Sequence, residues 1–196
     1  GASVTYNANN GSGAPSKQSS SNSSIKISST KPTRTGYAFK GWGTTSSTTT
    51  VSYSSGSTYT FFGEVTVYAV WQANTYTVAY NANGGTGTTA SSSHTYGVSK
   101  ALTSNGFSKT GYNFAGWDKT SAGTTVNYTN GQSVSNLTST QGATVTLYAV
   151  WKANTYTVVY NANGGLGSMN NSTHTYNTSK ALSANSFTRL GYSFLG

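Results

Sequence analysis

The sequence predicts a β-rich chain of the α+β class, built from small tandem domains that contain at most a short helix. A motif of the form Gly-Tyr-x-Phe-x-Gly-Trp begins at Gly36 and at Gly111, and all of it except the tryptophan recurs from Gly191. Other segments alternate apolar and polar residues with the period of two that is typical of strands. The chain also has 15 Tyr, 7 Phe and 4 Trp. This aromatic content indicates folded domains, although abundant Ser and Thr alone would suggest disorder.

The repeat is about 75 to 80 residues long. Equivalent Tyr-Asn-Ala-Asn segments begin at Tyr6, Tyr80 and Tyr160. Similar strands, Val65–Trp71 and Val145–Trp151, close the first two repeats. The predicted domains are therefore residues 1–73, residues 74–153 and residues 154–196, the last being the first half of a third repeat. The second repeat has five extra residues within residues 132–143. We expect that segment to be a loop that tolerates insertion.

The second repeat shows the expected order of elements. It begins with a half-buried strand over residues 75–81, in which Tyr76, Val78 and Tyr80 share one face. Asn83-Gly84-Gly85 then predicts a turn, because these residues adopt positive φ easily. The later expected elements are a short strand at 94–96, a connection or single helical turn at 99–102, the motif strand, a strand at 125–128, a short helix near 132–137 and a final strand at 143–151.

The repeated motif predicts a small aromatic core. Tyr112 and Phe114 fall on one face of a strand, and Trp117 joins them only if Gly116 carries a β-bulge. We expect Trp42 and Trp117 to be buried against the motif tyrosine and against Val67 or Leu147. The residues assigned to the structural core are Tyr37, Phe39, Trp42, Trp71, Tyr112, Phe114, Trp117 and Trp151. A less favoured interpretation is an aromatic binding platform.

The composition argues against catalysis, cofactors and bound metal. The chain has no Cys, so thiol chemistry and cysteine zinc sites are excluded. The two acidic residues, Glu64 and Asp118, stand at non-equivalent positions, so they form no recurring acid/base pair and too few ligands for calcium. His94 and His174 are equivalent to each other, but a lone histidine is more often a strand or turn residue than a ligand. We therefore expect a non-enzymatic protein with no small-molecule substrate and no membrane span.

Basic residues recur at fixed places, and the net charge is +9. Arg34, Lys109 and Arg189 each stand two residues before the motif glycine, and Lys100 and Lys180 are equivalent to each other. Evenly spaced cations could hold an anionic polymer, such as wall teichoic acid or extracellular DNA, through multivalency. The alternative is that they are solvated residues beside strands. Intracellular nucleic-acid binding is disfavoured, because no single-strand binding signature accompanies them.

Three motifs occur in a fixed order: Tyr-Thr-Val-x-Tyr-x-Ala-Asn-Gly-Gly, Gly-Tyr-x-Phe-x-Gly-Trp preceded by a basic residue, and Thr-Leu-Tyr-Ala-Val-Trp. In this order the chain resembles the B-repeats of internalins, the Listeria-Bacteroides repeat family of bacterial surface proteins. The resemblance covers essentially the whole chain. It implies a small β-grasp-like domain with a mixed sheet and a short helix, used in tandem on secreted or wall-attached proteins. The chain departs from the family pattern in its scarcity of acids and in having only Pro15 and Pro32.

The connections between repeats favour a structural role. Only three residues separate Trp71 from Thr75, and three separate Trp151 from Thr155. Such short connections leave little freedom for a hinge, so we expect a head-to-tail rod that acts as a stalk, spacer or fibre segment of an extracellular bacterial protein. Its expected partners are neighbouring repeats of the same chain, or another copy of it. In the half repeat we expect Tyr192 and Phe194 to be exposed unless more chain, or a strand from another copy, covers them.

Overall fold

The computed structural model describes residues 1–196, and all of its regular secondary structure is β-strand. None of its segments is a helix long and apolar enough to cross a bilayer. The first repeat forms β1 (Ala2–Asn7), β2 (Gln18–Ser20), β3 (Ser24–Lys26), β4 (Tyr37–Gly43), β5 (Thr58–Thr60) and β6 (Gly63–Ala73). The second forms β7 (Thr75–Asn81), β8 (Thr86–Gly87), β9 (Ser92–Thr95), β10 (Lys100–Ala101), β11 (Phe107–Ser108), β12 (Tyr112–Asp118), β13 (Ser133–Val134) and β14 (Thr144–Ala153). The third forms β15 (Thr155–Val158) and β16 (Ser172–Thr175).

The chain forms two compact units. The first consists of Gly1–Ala79, Ser91–Leu102 and Gln132–Val145, and the second of Tyr80–Ala90, Thr103–Gly131 and Thr146–Gly196. Within the first unit lies a four-stranded sheet of order β2-β1-β6-β4. Strands β1 and β6 are parallel, whereas β2 and β4 are antiparallel to their neighbours, so the sheet is mixed as predicted.

Apolar residues at alternate positions of β1 and β6 form the centre of the core of the first repeat. Val4 and Tyr6 of β1 are buried and pair with Val65 and Val67 of β6. Ile25 lies on β3, which pairs with β5, and is buried in the same core. Alternation is clearest in β1, where Ala2, Val4 and Tyr6 are buried while Thr5 and Asn7 are exposed, so this strand has one apolar face and one polar face.

Two further strand pairs belong to the first unit. Strand β7 pairs with β9, so that Tyr76 lies opposite His94, and β10 pairs with β13. The helix expected near residues 132–137 is wrong, because Ser133 and Val134 form β13. Val134 is buried opposite Lys100, and the positive φ of Asn136 prevents a helix from continuing.

The second unit contains three antiparallel pairs, β8 with β11, β12 with β14 and β15 with β16. The strand expected at 125–128 is reduced to a single bridge between Trp117 and Tyr128. In the third repeat, Tyr192 is 68% exposed and Phe194 is 64% exposed, as expected for the half repeat.

Candidate functional site at the joints between repeats

The β-bulge predicted in the motif strand is present in both complete repeats. The pairing of β4 with β6 shifts between Phe39 and Gly41, and that of β12 with β14 shifts between Phe114 and Gly116. Gly41 has a φ of +137°, which favours glycine. The extra residue rotates the strand, so Phe39 and Trp42 come to the same face.

The bulge assembles one aromatic cluster in each repeat. Trp42 is fully buried in the core that contains Val67, and its ring lies 4.8 Å from that of Tyr6 and 5.1 Å from that of Phe39. Trp71 also packs edge-to-face against Phe39, with ring centroids 5.8 Å apart. Each distance is in the range that favours edge-to-face packing.

The second repeat builds the same cluster. The ring of Phe114 lies 4.8 Å from Trp117 and 5.8 Å from Trp151, and Tyr80 lies 4.9 Å from Trp117. Trp117 is fully buried. The aromatic partner of each central tryptophan in the first strand is therefore Tyr6 or Tyr80, not the motif tyrosine that the sequence suggested.

The motif tyrosines lie instead at the joints between repeats. The ring of Tyr37 meets the edge of Tyr96 from the next repeat, with centroids 5.7 Å apart and planes at 84°. A side chain at Gly36 would overlap the Tyr96 ring, so glycine is needed there for the two repeats to approach. The local sequence pattern could not show this contact, because Tyr96 comes from a different repeat.

Backbone hydrogen bonds fix the same joint. The amide of Asn74, in the connection, donates to the carbonyl of Gly36 at 2.8 Å, and the amide of Tyr96 donates to the carbonyl of Asn74 at 2.8 Å. We call this set of residues, Gly36, Tyr37, Asn74 and Tyr96, the first joint. Its polar groups are paired across the connection, so the connection is held on both sides.

A second joint has hydrogen bonds and a tyrosine pair equivalent to those of the first joint. Asn154 donates to Gly111 at 2.9 Å, and Tyr176 donates to Asn154 at 2.8 Å. The rings of Tyr112 and Tyr176 are 5.6 Å apart at 80°. Tyr96 and Tyr176 were not singled out by sequence reasoning, although both end a His-Thr-Tyr triplet that recurs after 80 residues.

The inserted loop of the second repeat closes over the first joint. The side chain of Asn74 donates to the carbonyl of Ser139 at 2.9 Å, and the side chain of Gln141 accepts from the amide of Thr75 at 2.9 Å. The amide of Gly142 donates to the carbonyl of Thr75 at 2.8 Å. The loop was expected only to tolerate extra residues, but it supplies hydrogen bonds to the connection.

Three of the five predicted basic residues lie on the motif tyrosines. The guanidinium carbon of Arg34 is 3.7 Å from the centre of the Tyr37 ring, and that of Arg189 is 4.0 Å from the centre of the Tyr192 ring. The ammonium of Lys109 is 4.3 Å from the centre of the Tyr112 ring. These are cation–π distances, and they hold each cation at a defined place.

The other two basic residues are arranged differently. The ammonium of Lys100 donates to the carbonyl of Ser93 at 2.6 Å, and Lys180 donates to that of Thr173 at 2.6 Å. Each therefore bonds the hairpin of its own repeat. The structure does not bring them onto the motif tyrosines with the other three.

A groove of about 940 Å³ opens at the first joint, within the first compact unit. We call it the joint groove. It is lined by Asn10, Gly11, Ser12, Lys31, Pro32, Thr33, Arg34, Thr35, Tyr37, Phe39, Trp71, Tyr96, Gly97 and Asn136. Two cations, four aromatic rings and several neutral polar groups face one space, and no carboxylate lines it.

Both acidic residues lie elsewhere. Glu64 is exposed and pairs with Lys17 at 3.3 Å. Asp118 is buried, and its carboxylate accepts hydrogen bonds from the amides of Thr120, Thr124 and Thr125 at 2.8 to 3.1 Å. Those amides, that of Thr120 foremost, lower the pKa of the Asp118 carboxyl below its ordinary value. Asp118 therefore organises its own loop.

The histidines pack as strand residues. His94 is buried, stacks on Tyr76 with ring centroids 5.3 Å apart, and its Nε2 lies 2.7 Å from the hydroxyl of Ser92. Burial, assisted by the charge of Lys100, lowers the pKa of His94, so the neutral ring is favoured. Nowhere do three or more His, Cys, Asp or Glu side chains form a group that could hold a metal ion.

A family model described as the Listeria-Bacteroides repeat domain matches residues 3–70, 76–150 and 156–196. The chain belongs to this repeat family. The matches cover three successive repeats, in agreement with the resemblance found in the sequence.

Two relatives come from Evansella cellulosilytica. One, provisionally named a Gly-rich membrane protein, is 30% identical over 162 residues, which make up 83% of this chain and 17% of that protein. The other, provisionally named a membrane protein, is 31% identical over 138 residues, or 69% of this chain and 19% of that protein. The chain thus spans less than a fifth of the length of either relative.

Proposed function

We propose that the chain is a non-enzymatic spacer, a stiff stalk or fibre segment of an extracellular bacterial surface protein. The main support for this proposal is that the two joints have equivalent contacts. Two successive connections use the same hydrogen bonds and the same tyrosine pair. A joint that repeats in this way gives each added repeat the same orientation to the one before, which is how tandem repeats extend a protein in one direction.

Membership of the Listeria-Bacteroides repeat family, typically associated with the bacterial surface, supports the proposed location. The relatives are several times longer than this chain, which suits a module that separates or projects other parts of a large protein. The Ser- and Thr-rich surface supports the same role, because it is hydrated without strong charge.

The proposed partners of the chain are repeats of the same kind. The guanidinium of Arg189 lies over the Tyr192 ring, as that of Arg34 lies over the Tyr37 ring. This surface therefore fits a repeat that offers a tyrosine equivalent to Tyr96. In the first repeat, β1 pairs with β2 so that Ser20 occupies the position that His94 has in the second repeat. Two residues later, Asn22 therefore occupies the position of Tyr96. The first repeat of another copy would not form this contact.

Small-angle scattering from the full chain tests the spacer. A compact protein of this length has a radius of gyration of about 16 Å. Repeats placed end to end, each roughly 30 Å across, give a value of about 23 Å. The spacer proposal predicts the larger value and a pair-distance distribution with a long tail. A value near that of a compact sphere would refute it.

A further inference from the structure

We propose that the joint groove binds an acidic polysaccharide. Its acidic groups would lie at Lys31 and Arg34, and its sugar rings would lie against Tyr96 and Trp71, which line the same space. This binding activity goes beyond the spacer role, although it uses the same joint.

The charge of the groove is not neutralised by the protein. Neither Lys31 nor Arg34 makes an ion pair or a side-chain hydrogen bond, and the guanidinium of Arg34 lies over the Tyr37 ring. Because the only exposed acid, Glu64, is engaged with Lys17, the positive potential of the groove remains available to a ligand.

The position of Arg34 suits an acidic group of planar or tetrahedral shape. The guanidinium carbon of Arg34 lies 3.7 Å from the centre of the Tyr37 ring, and no side-chain hydrogen bond occupies the N–H groups of that guanidinium. Those donors can bind a carboxylate or a phosphate through two parallel hydrogen bonds. Lys31 adds a second charge, three residues earlier in the chain.

The rest of the lining suits sugar more than nucleic acid. The indole N–H of Trp71 already donates to the carbonyls of Ala8 and Asn9, so its ring offers the groove an apolar surface. Asn10, Ser12 and Asn136 provide neutral polar groups for hydroxyls. Nucleic-acid binding depends on many phosphate contacts, whereas this groove has only two cations. A hydroxyl-rich polymer with widely spaced acidic groups matches it better.

The groove belongs to the first joint in particular. Asn136 comes from the inserted loop of the second repeat and accepts a hydrogen bond from the amide of Gly97 at 2.6 Å. Both residues line the groove together with Lys31 and Arg34 of the first repeat, so two repeats must dock to complete the lining. At the second joint, Lys109 takes the place of Arg34, but Gly106 stands three residues before it, where the first repeat has Lys31. We expect the second joint to bind such a polymer more weakly.

Calorimetric titration of the full chain tests the proposal with three oligomers of equal length: oligogalacturonate, a mannose-phosphate oligomer and neutral dextran. Binding of either acidic oligomer, and not of dextran, is expected. Comparison of the affinities for the two acidic oligomers shows whether the groove prefers a carboxylate or a phosphate. The double variant Lys31→Gln/Arg34→Gln should bind at least about tenfold more weakly, the loss expected when two charge-assisted contacts are removed.

The matched control is Lys26→Gln/Lys40→Gln, which removes two exposed cations of the first repeat that do not line the groove. It should change the affinity less than twofold. Equal losses in the two double variants would overturn the proposal, as would equal binding of dextran. A DNA oligomer of the same length, titrated in parallel, would also overturn it by binding more tightly than both acidic oligomers. If neither acidic oligomer bound while the scattering profile was that of an elongated chain, the polysaccharide proposal would fail and the spacer proposal would stand.

Discussion

Trp42 is the side chain on which the core of the first repeat depends most. It is fully buried between Tyr6 and Phe39, so Trp42→Ala removes a large ring and leaves a cavity. We expect a loss of about 3–5 kcal/mol in the free energy of unfolding, measured by denaturant titration. Phe62→Ala is the matched control, because Phe62 is 82% exposed and should change stability by less than about 0.5 kcal/mol. Similar effects of the two changes would show that Trp42 is not the centre of the core.

Asp118 gives the second repeat a response to acid. Since three backbone amides hold its folded-state pKa below the ordinary value, the ionised carboxylate stabilises the native state. That stabilisation is fully present above the pKa of the unfolded chain, near 4, and is lost as pH falls through the lower folded pKa. Asp118→Asn should therefore lower the melting temperature at pH 6 and lose its effect in strong acid.

The control for this pH series is Glu64→Gln, because Glu64 is exposed. The melting temperature of that variant should follow the unchanged chain at every pH. If the melting temperature of Asp118→Asn also matched that of the unchanged chain at every pH, the hydrogen bonds to Asp118 would not contribute to stability. The equivalent position in the first repeat is Gly43, so the first repeat lacks this acid response.

The bulged strand is the element that places the aromatic cluster. Gly116 has a φ of +148°, and a β-carbon there would lie 2.7 Å from the carbonyl oxygen of Tyr128. Gly116→Ala should therefore cost about 1–3 kcal/mol through backbone strain alone. Denaturant titration followed by the tryptophan fluorescence of the chain measures the loss in the free energy of unfolding.

Ala115→Ser is the neighbouring control, because Ala115 is exposed on the same strand. Its effect should stay within about 0.5 kcal/mol. An alanine tolerated equally well at position 116 would mean that the strand can bury Trp117 without the bulge.

The elements that the sequence predicts well are those defined by their own residues. The bulge at Gly116 was predictable, because strand alternation alone puts Phe114 and Trp117 on opposite faces. The turn at Asn83 was predictable too, because Asn and Gly tolerate the positive φ observed there. The helix near residues 132–137 was wrong because Val134 pairs with β10, a contact with a distant segment that the local pattern does not contain.

The contacts at the joints could not be predicted from the sequence of a single repeat. Tyr37 and Phe39 share a face of β4, yet only Phe39 packs on the core, because Tyr37 lies at the strand end where the next repeat docks. The regular spacing of Arg34 and Lys109 pointed to a shared role, but not to the tyrosine rings that hold them. The inserted loop was predicted only to tolerate extra residues, because its partners are Asn74 in the connection and Thr75 at the start of β7, both distant in the sequence.

For the molecule as a whole, the central claim is that each joint holds successive repeats in one orientation. The chain has no native Cys, so spin labels can be attached at Lys40→Cys in the first repeat and Ala101→Cys in the second, both of which are exposed. Tyr96→Ala in the same labelled chain removes the ring that Tyr37 meets, and it should broaden the distance distribution measured by pulsed electron paramagnetic resonance.

Without that change, a fixed joint predicts one narrow distance between the two labels. A broad or multiple distribution in the chain that retains Tyr96 would contradict it.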